Sequence, residues 1–165
     1  LVGCVVTRGR ACGLDIEMVR SMDDMDGVAD MVCSPAERAL LDRLPAAERA
    51  RYFFTLWTLK EAYVKATGEG IGIDLTCVAF TLDAGAVACR LGNTPAGADW
   101  QFHAGAPDAG HALAVALYDG PPVGTQASAP SRFGDGAHTN ATITIREVSL
   151  DTVEPGTMAF SSLIR

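Results

Sequence analysis

The sequence predicts an α+β fold, and three observations predict it. An apolar run ends in Gly13-Leu14-Asp15-Ile16-Glu17 and reads as a strand. Phe53 to Gly70 reads as a helix, because Phe53, Leu56, Trp57, Tyr63 and Val64 recur near the 3.6 period, no proline interrupts, and Gly68 supplies a C-terminal stop. Beyond Gly70 the pattern breaks into short alternating segments. Strands, then helices, then a meander make α+β rather than a parallel α/β alternation.

The elements follow in order. Leu1 to Thr7 is a short apolar run, Arg8-Gly9-Arg10 a turn, and Ala11 to Glu17 the returning strand of a hairpin. Residues two apart on a strand share a side, so Asp15 and Glu17 present paired carboxylates while Leu14 and Ile16 are expected in the core. Met18 to Asp30 carries Asp23, Asp24, Asp26 and Asp30 and reads as a solvated loop or frayed helix, without the ligand periodicity of a calcium loop. Ser34-Pro35-Ala36-Glu37 fits a capping box that opens a helix through about Leu44. Pro45 opens the longer helix, on which Trp57, Lys60, Glu61, Val64 and Lys65 are expected to share one broad face. Thr76 to Leu82 and Ala86 to Leu91 flank Asp83-Ala84-Gly85 as a hairpin. Trp100 to Phe102 and His111 to Tyr118 alternate, the latter with Leu113, Val115 and Leu117 on one face. Residues 1–118 are thus expected to form one domain, 119–142 a flexible linker rich in glycine, proline, serine and alanine, and 143–165 a tail with an edge strand at Ile143 to Val148.

Composition narrows the function. At 165 residues and 48% hydrophobic, the chain has the make-up of an ordinary soluble domain. A formal net charge of -7 argues against a phosphate-backbone binder, so no nucleic acid is expected as partner. No apolar run approaches the roughly 18 residues of a membrane span, and no membrane partner is expected. The five cysteines, an odd number without Cys-x-x-Cys spacing, sit in apolar contexts and read as small buried thiols of a reducing, cytoplasmic compartment. His103, His111 and His138 show no metal-ligand spacing.

If the strand end meets the long helix, Asp15, Glu17 and Glu61 face one point. Carboxylates at about 4 Å repel by roughly 1 to 4 kcal/mol per pair, depending on local dielectric, and a cation relieves this. A few oxygen ligands suit magnesium shared with a substrate phosphate, with Lys60 and Lys65 as countercharges to a pyrophosphate. The plainer reading of Glu61 and Lys65 is a surface ion pair at i,i+4.

Gly13 to Glu17 followed by Trp57-Thr-Leu-Lys-Glu-Ala-Tyr-Val-Lys-Ala-Thr-Gly-Glu-Gly70 resembles the two signature motifs of the 4'-phosphopantetheinyl transferases, in the wording of the surfactin-synthetase-activating type. The resemblance covers about residues 1–118 and only the C-terminal half of that type, whose members pair two similar α+β halves around coenzyme A. It implies magnesium-dependent transfer of 4'-phosphopantetheine from coenzyme A to a serine of an apo acyl or peptidyl carrier protein, with release of adenosine 3',5'-bisphosphate. It also implies Asp15, Glu17 and Glu61 as magnesium ligands, Glu61 and Lys65 as catalytic, and Lys60, Lys65 and Trp57 beside coenzyme A. Because the chain begins with Leu1 in an apolar run, a missing N-terminal half or self-association is expected, the latter in the manner of the short holo-acyl-carrier-protein synthases. Competing readings are a non-catalytic half-domain that keeps the fold or carrier-protein docking, and an acidic interaction domain with coincidental motifs.

Overall fold

One helix runs through the centre of the computed structural model, which describes residues 1–8, 10–83, 86–97 and 99–120. The order of elements is β1 (Ala11–Met18), α1 (Met25–Val32), α2 (Pro35–Arg43), α3 (Ala46–Thr67), two 3-10 turns (Gly70–Gly72 and Leu75–Cys77), then β2 (Val78–Asp83), β3 (Ala86–Leu91), β4 (Thr94–Pro95), β5 (Trp100–Gly105) and β6 (His111–Tyr118). α3 is buried on almost every side: Phe53, Phe54, Leu56, Thr58, Leu59, Lys60, Ala62, Tyr63, Val64 and Ala66 are all inside. Such a helix belongs to the middle of a fold rather than to its surface.

Two antiparallel sheets flank it, in the orders β1-β6-β5 and β2-β3-β4. The α+β expectation holds, while the hairpin at the start does not form: β1 pairs in register with β6, from Ala11 opposite Tyr118 to Met18 opposite His111. Residues 1–7 carry no strand. Directly opposed residues share a face, so Gly13, Asp15 and Glu17 lie on the same side as Ala116, Ala114 and Ala112, and this is the side that joins the core with α3. The placement of Leu14 and Ile16 in the core is therefore corrected. They occupy the opposite face with Val115 and Leu113, half-buried, and a Cβ on Gly3 would press on both of them.

The helix-facing side is made of small residues, and this lets α3 lie close. A Cβ at Gly13 would overlap the Ala62 carbonyl oxygen and come within 2.7 Å of Ala66 N. At the far end of the same contact Arg51 donates from Nη1 to the His111 carbonyl at 2.6 Å and from Nη2 to that of Ala109. The second sheet joins through aromatic rings: Phe80 meets Phe102 edge-on at 5.0 Å, Phe102 stacks on Trp100 at 5.5 Å, and Trp100 touches Tyr63 at 4.9 Å.

Local signals explain the helix ends. Ser34 Oγ accepts from Glu37 N while Glu37 Oε2 accepts from Ser34 N, the capping box expected at α2. Gly68, at φ 73°, closes α3 in the left-handed conformation. The acidic stretch after β1 resolves into α1, capped by Asp24, with Asp26 paired to both Arg38 and Arg49. All five cysteines are free; Cys33 and Cys89 are buried as expected, whereas Cys4 and Cys77 are exposed. The expectations for Gly9, for Ala84 and Gly85, for His138, and for a linker and tail beyond residue 120 lie outside the described residues.

Glu37 also does a second job. Its Oε2 lies 2.8 Å from Nζ of Lys60, which is 0% exposed and donates as well to the carbonyls of Val32 at 2.8 Å, Leu75 at 2.9 Å and Val78 at 2.6 Å. Glu37 Oε1 accepts the Phe80 amide at 2.6 Å. One buried pair thus fastens α1, α2, α3, the second 3-10 turn and β2. Breaking such a pair from one side leaves a charge stranded without water and costs about 3 to 5 kcal/mol. Lys60→Met is accordingly expected to lower the urea stability of the chain by about that amount; an unchanged denaturation midpoint would mean that Lys60 is not a structural anchor.

Candidate active site

Asp15 sits in the middle of β1 with only 7% of its surface exposed. Oδ1 accepts from Lys65 Nζ at 2.7 Å, and the same ammonium donates to the Leu14 carbonyl at 3.2 Å. The other carboxylate oxygen, Oδ2, is buried and has no hydrogen-bond partner. Lys65 is the more exposed member, with 49% of its side chain open to solvent. One turn earlier on α3, Glu61 is partly buried. Burial pushes its carboxyl above the ordinary carboxylate range, the negative charge of Asp15 pushes it further, Lys65 opposes, and Glu17 adds to the rise. Asp15, Glu17, Glu61 and Lys65 therefore share one electrostatic neighbourhood, assembled by the close contact of Gly13 with α3.

Lys60 does not belong to it. It was expected beside Glu61, facing a phosphate, and this is corrected: neighbouring residues on a helix point about 100° apart, and Lys60 takes the direction of the core, where Glu37 and three carbonyls consume its protons. Trp57 is half-buried against the core, 6.0 Å from the Phe53 ring. It does not line the cavity beside the carboxylates and packs as an aromatic filler of the core.

An open cavity of about 330 Å³ adjoins the cluster, lined by Glu61, Val64, Lys65, Gly68, Gly70, Ile73 and Leu75. Sequence reading did not single out the last four as site residues. Gly68 and Gly70 had a signal, since both hold positive φ, 73° and 67°, and carry no side chain that would fill the mouth. Ile73 and Leu75 had none, because apolar residues after a helix look alike wherever they point. A second cavity, of about 450 Å³ beside Leu44, Glu48, Arg51 and Tyr52, is the larger but lacks a carboxylate cluster.

The arrangement favours a cation without yet being its cage. Asp15 Oδ2 lacks a donor, and Glu61 is raised first by its burial and then by the charge of Asp15, so the carboxylates offer oxygen ligands of the kind that suits a hard divalent ion. Among the described residues, however, no three His, Cys, Asp or Glu side chains stand as a group ready to hold a metal.

Comparison with known proteins gives one family. Residues 11–116 match the model of the 4'-phosphopantetheinyl transferase superfamily. The chain is 43% identical over 68 residues to the 4'-phosphopantetheinyl transferase HetI of Nostoc sp., covering 41% of this chain and 29% of that protein. It is 39% identical over 64 residues to the 4'-phosphopantetheinyl transferase psf-1 of Bacillus pumilus, covering 39% and 27%. The chain thus spans under a third of the length of the curated relatives it matches. In fold it resembles a holo-(acyl-carrier-protein) synthase from Bacillus anthracis in complex with CoA (3',5'-ADP), with a TM-score of 0.52 at 19% identity over 67% of this chain and 96% of that one. The holo-ACP-synthase of Plasmodium yoelii gives a TM-score of 0.51 at 18% identity over 70% and 100%.

The raised Glu61 has a measurable consequence. A carboxyl whose proton is held more tightly in the folded than in the unfolded chain favours folding below the ordinary carboxylate range, and loses that contribution as pH rises through its raised value. In metal-free buffer, Glu61→Gln should unfold at the same urea concentration as the parent near about pH 4 and at a higher one at neutral pH. A variant less stable than the parent at neutral pH would contradict the placement of Glu61 among negative charges.

Proposed function

From the premise that the chain belongs to the 4'-phosphopantetheinyl transferase superfamily, we propose that it carries the phosphoryl-transfer end of a magnesium-dependent enzyme that moves the 4'-phosphopantetheine arm of coenzyme A onto a carrier-protein serine. The acceptor is an apo acyl or peptidyl carrier protein of the cytoplasm and the by-product is adenosine 3',5'-bisphosphate. The observation that carries this reading is the buried Asp15 with one oxygen on Lys65 and the other unpaired, beside Glu61 and an open cavity.

Roles follow from chemistry. The serine oxygen attacks the phosphorus that bears the pantetheine arm, the bond from that phosphorus to the bridging oxygen of the pyrophosphate breaks, and the bridging oxygen leaves on the 5'-phosphate of adenosine 3',5'-bisphosphate. Glu61 accepts the serine proton, directly or through a water. Lys65, half-exposed at the cavity wall, neutralises the leaving phosphate oxygens. Asp15 and Glu17, with Glu61, would hold magnesium, which when bound supplies charge neutralisation at the pyrophosphate. Lys60, 0% exposed, supports α3 from within. Trp57 packs on the core through Phe53.

A second reading, a half-domain that keeps the fold and carrier-protein docking without catalysis, is favoured by the short span of the chain against its curated relatives. The test incubates the chain with magnesium, coenzyme A and an apo carrier protein and follows the carrier by intact mass. Phosphopantetheine addition that falls about 10²- to 10⁴-fold in Glu61→Gln supports the enzyme reading. Carrier binding without any addition supports the half-domain, and addition that is indifferent to Glu61 removes it from the base's role.

A further inference from the structure

We propose that Lys65 is a resident counter-ion which yields Asp15 to an incoming divalent cation and is thereby released toward the substrate phosphate, so that cation binding precedes and prepares phosphate binding. The inference rests on the reading of Asp15, Glu17 and Glu61 as cation ligands and adds an order of events to it.

Asp15 is more than nine-tenths buried and lacks a partner on Oδ2, so its charge depends on a single cation. A buried carboxylate stripped of positive charge is costly, and in the structure that charge comes from Lys65 at 2.7 Å. The ammonium is poorly anchored elsewhere: its other contact is the Leu14 carbonyl at 3.2 Å, and half of the side chain faces water. Leaving Asp15 therefore demands little desolvation of the lysine. Leaving Glu37 would demand much of Lys60, which no water reaches. The two lysines differ in this respect although both hold carboxylates at nearly the same distance.

A dication on the Asp15 carboxylate and an ammonium on the same carboxylate repel each other at short range. The cation gains by recruiting Glu61 and Glu17, whose negative charges share the neighbourhood of Asp15. The displaced ammonium has a defined destination. Lys65 is four residues from Glu61 on α3, and both line the cavity at the C-terminal end of that helix. Exchange thus turns Lys65 from a partner of the protein's own carboxylate into a free positive charge where a pyrophosphate oxygen would lie.

The test uses the 165-residue chain with Mn²⁺ as the probe, at about pH 8 so that carboxylates are ionised. Free Mn²⁺ is followed by electron paramagnetic resonance in the parent and in Lys65→Met. Separately, the parent is acetylated briefly with acetic anhydride, with and without saturating Mn²⁺, and the modified lysines are read by peptide mass. Exchange predicts that Lys65→Met binds Mn²⁺ about tenfold more tightly, on the scale of one removed like-charge repulsion. It also predicts that Lys65 acetylates faster in the saturated parent, with buried Lys60 unreactive in both samples as internal control. Mn²⁺ binding that is equal or weaker in Lys65→Met, or Lys65 reactivity that stays level or falls on saturation, overturns the exchange while leaving the cation site standing. No Mn²⁺ binding by either chain overturns the cation site and the exchange together. The acetylation arm needs only the parent, so the outcome does not hang on the folding of the variant.

Discussion

The buried pair of Lys60 with Glu37 is the constraint on which the site depends. Its four acceptors around one ammonium come from the end of α1, the start of α2, the second 3-10 turn and β2. Buried ion pairs are weak contributors to net stability, because desolvation offsets their attraction. They are strong at fixing geometry, since any alternative arrangement strands a charge. Here the geometry fixed is the rotation of α3 about its axis. With Lys60 held toward the core, the next residue must point about 100° away, and Glu61 comes to lie among the charges of β1, with Lys65 one turn on and in reach of Asp15.

The distance between helix and strand is set by a different device. Gly13, Ala112, Ala114 and Ala116 form the face of the β1-β6 pair that meets α3, and the Gly13 site leaves no room for a methyl group against Ala62 and Ala66. Larger residues would lift the helix, and the interactions between charges fall with distance and rising solvent content. The bulky residues of β6, Leu113, Val115 and Leu117, are turned to the other face beside Ile16, Leu14 and Cys12. A sheet apolar on both faces is one that is covered twice, and β6 is accordingly buried on both, from Ala112 to Leu117.

Much of this was legible in the sequence, and the reasons why the rest was not are physical. The capping box at Ser34 and Glu37, the closing Gly68, the span of α3 and the alternation of β6 rest on local rules, and each was readable within a few residues. The two motifs with Asp15, Glu17, Glu61 and Lys65 were readable as types and spacings. The pairing of β1 was misread, because a turn signal at Arg8 to Arg10 argues for the nearest strand whereas the actual partner lies about a hundred residues on. The faces of Leu14 and Ile16 were misread for a related reason: alternation gives two faces but not which one meets a helix, and the face chosen here by α3 is the one with small residues. Lys60 was misplaced because charge usually marks an exposed face. On a helix buried on most sides that rule marks only a narrow strip, which Lys65 occupies, and the partner that turns Lys60 inward, Glu37, also serves the α2 cap, a role that hides the pairing.

Electrostatics then explain why two lysines five residues apart behave so differently. Each neutralises one carboxylate, but Glu37 has all its oxygens satisfied by Ser34, Phe80 and Lys60, whereas Asp15 keeps an oxygen without a partner. Hydrogen bonds saturate the first pair and leave nothing for an outside ion to gain. The second is short of one donor in a setting that already holds Glu61 and Glu17. A net charge of -7 spread over 165 residues attracts cations weakly and everywhere, whereas Asp15, Glu17 and Glu61 gather part of it between β1 and α3.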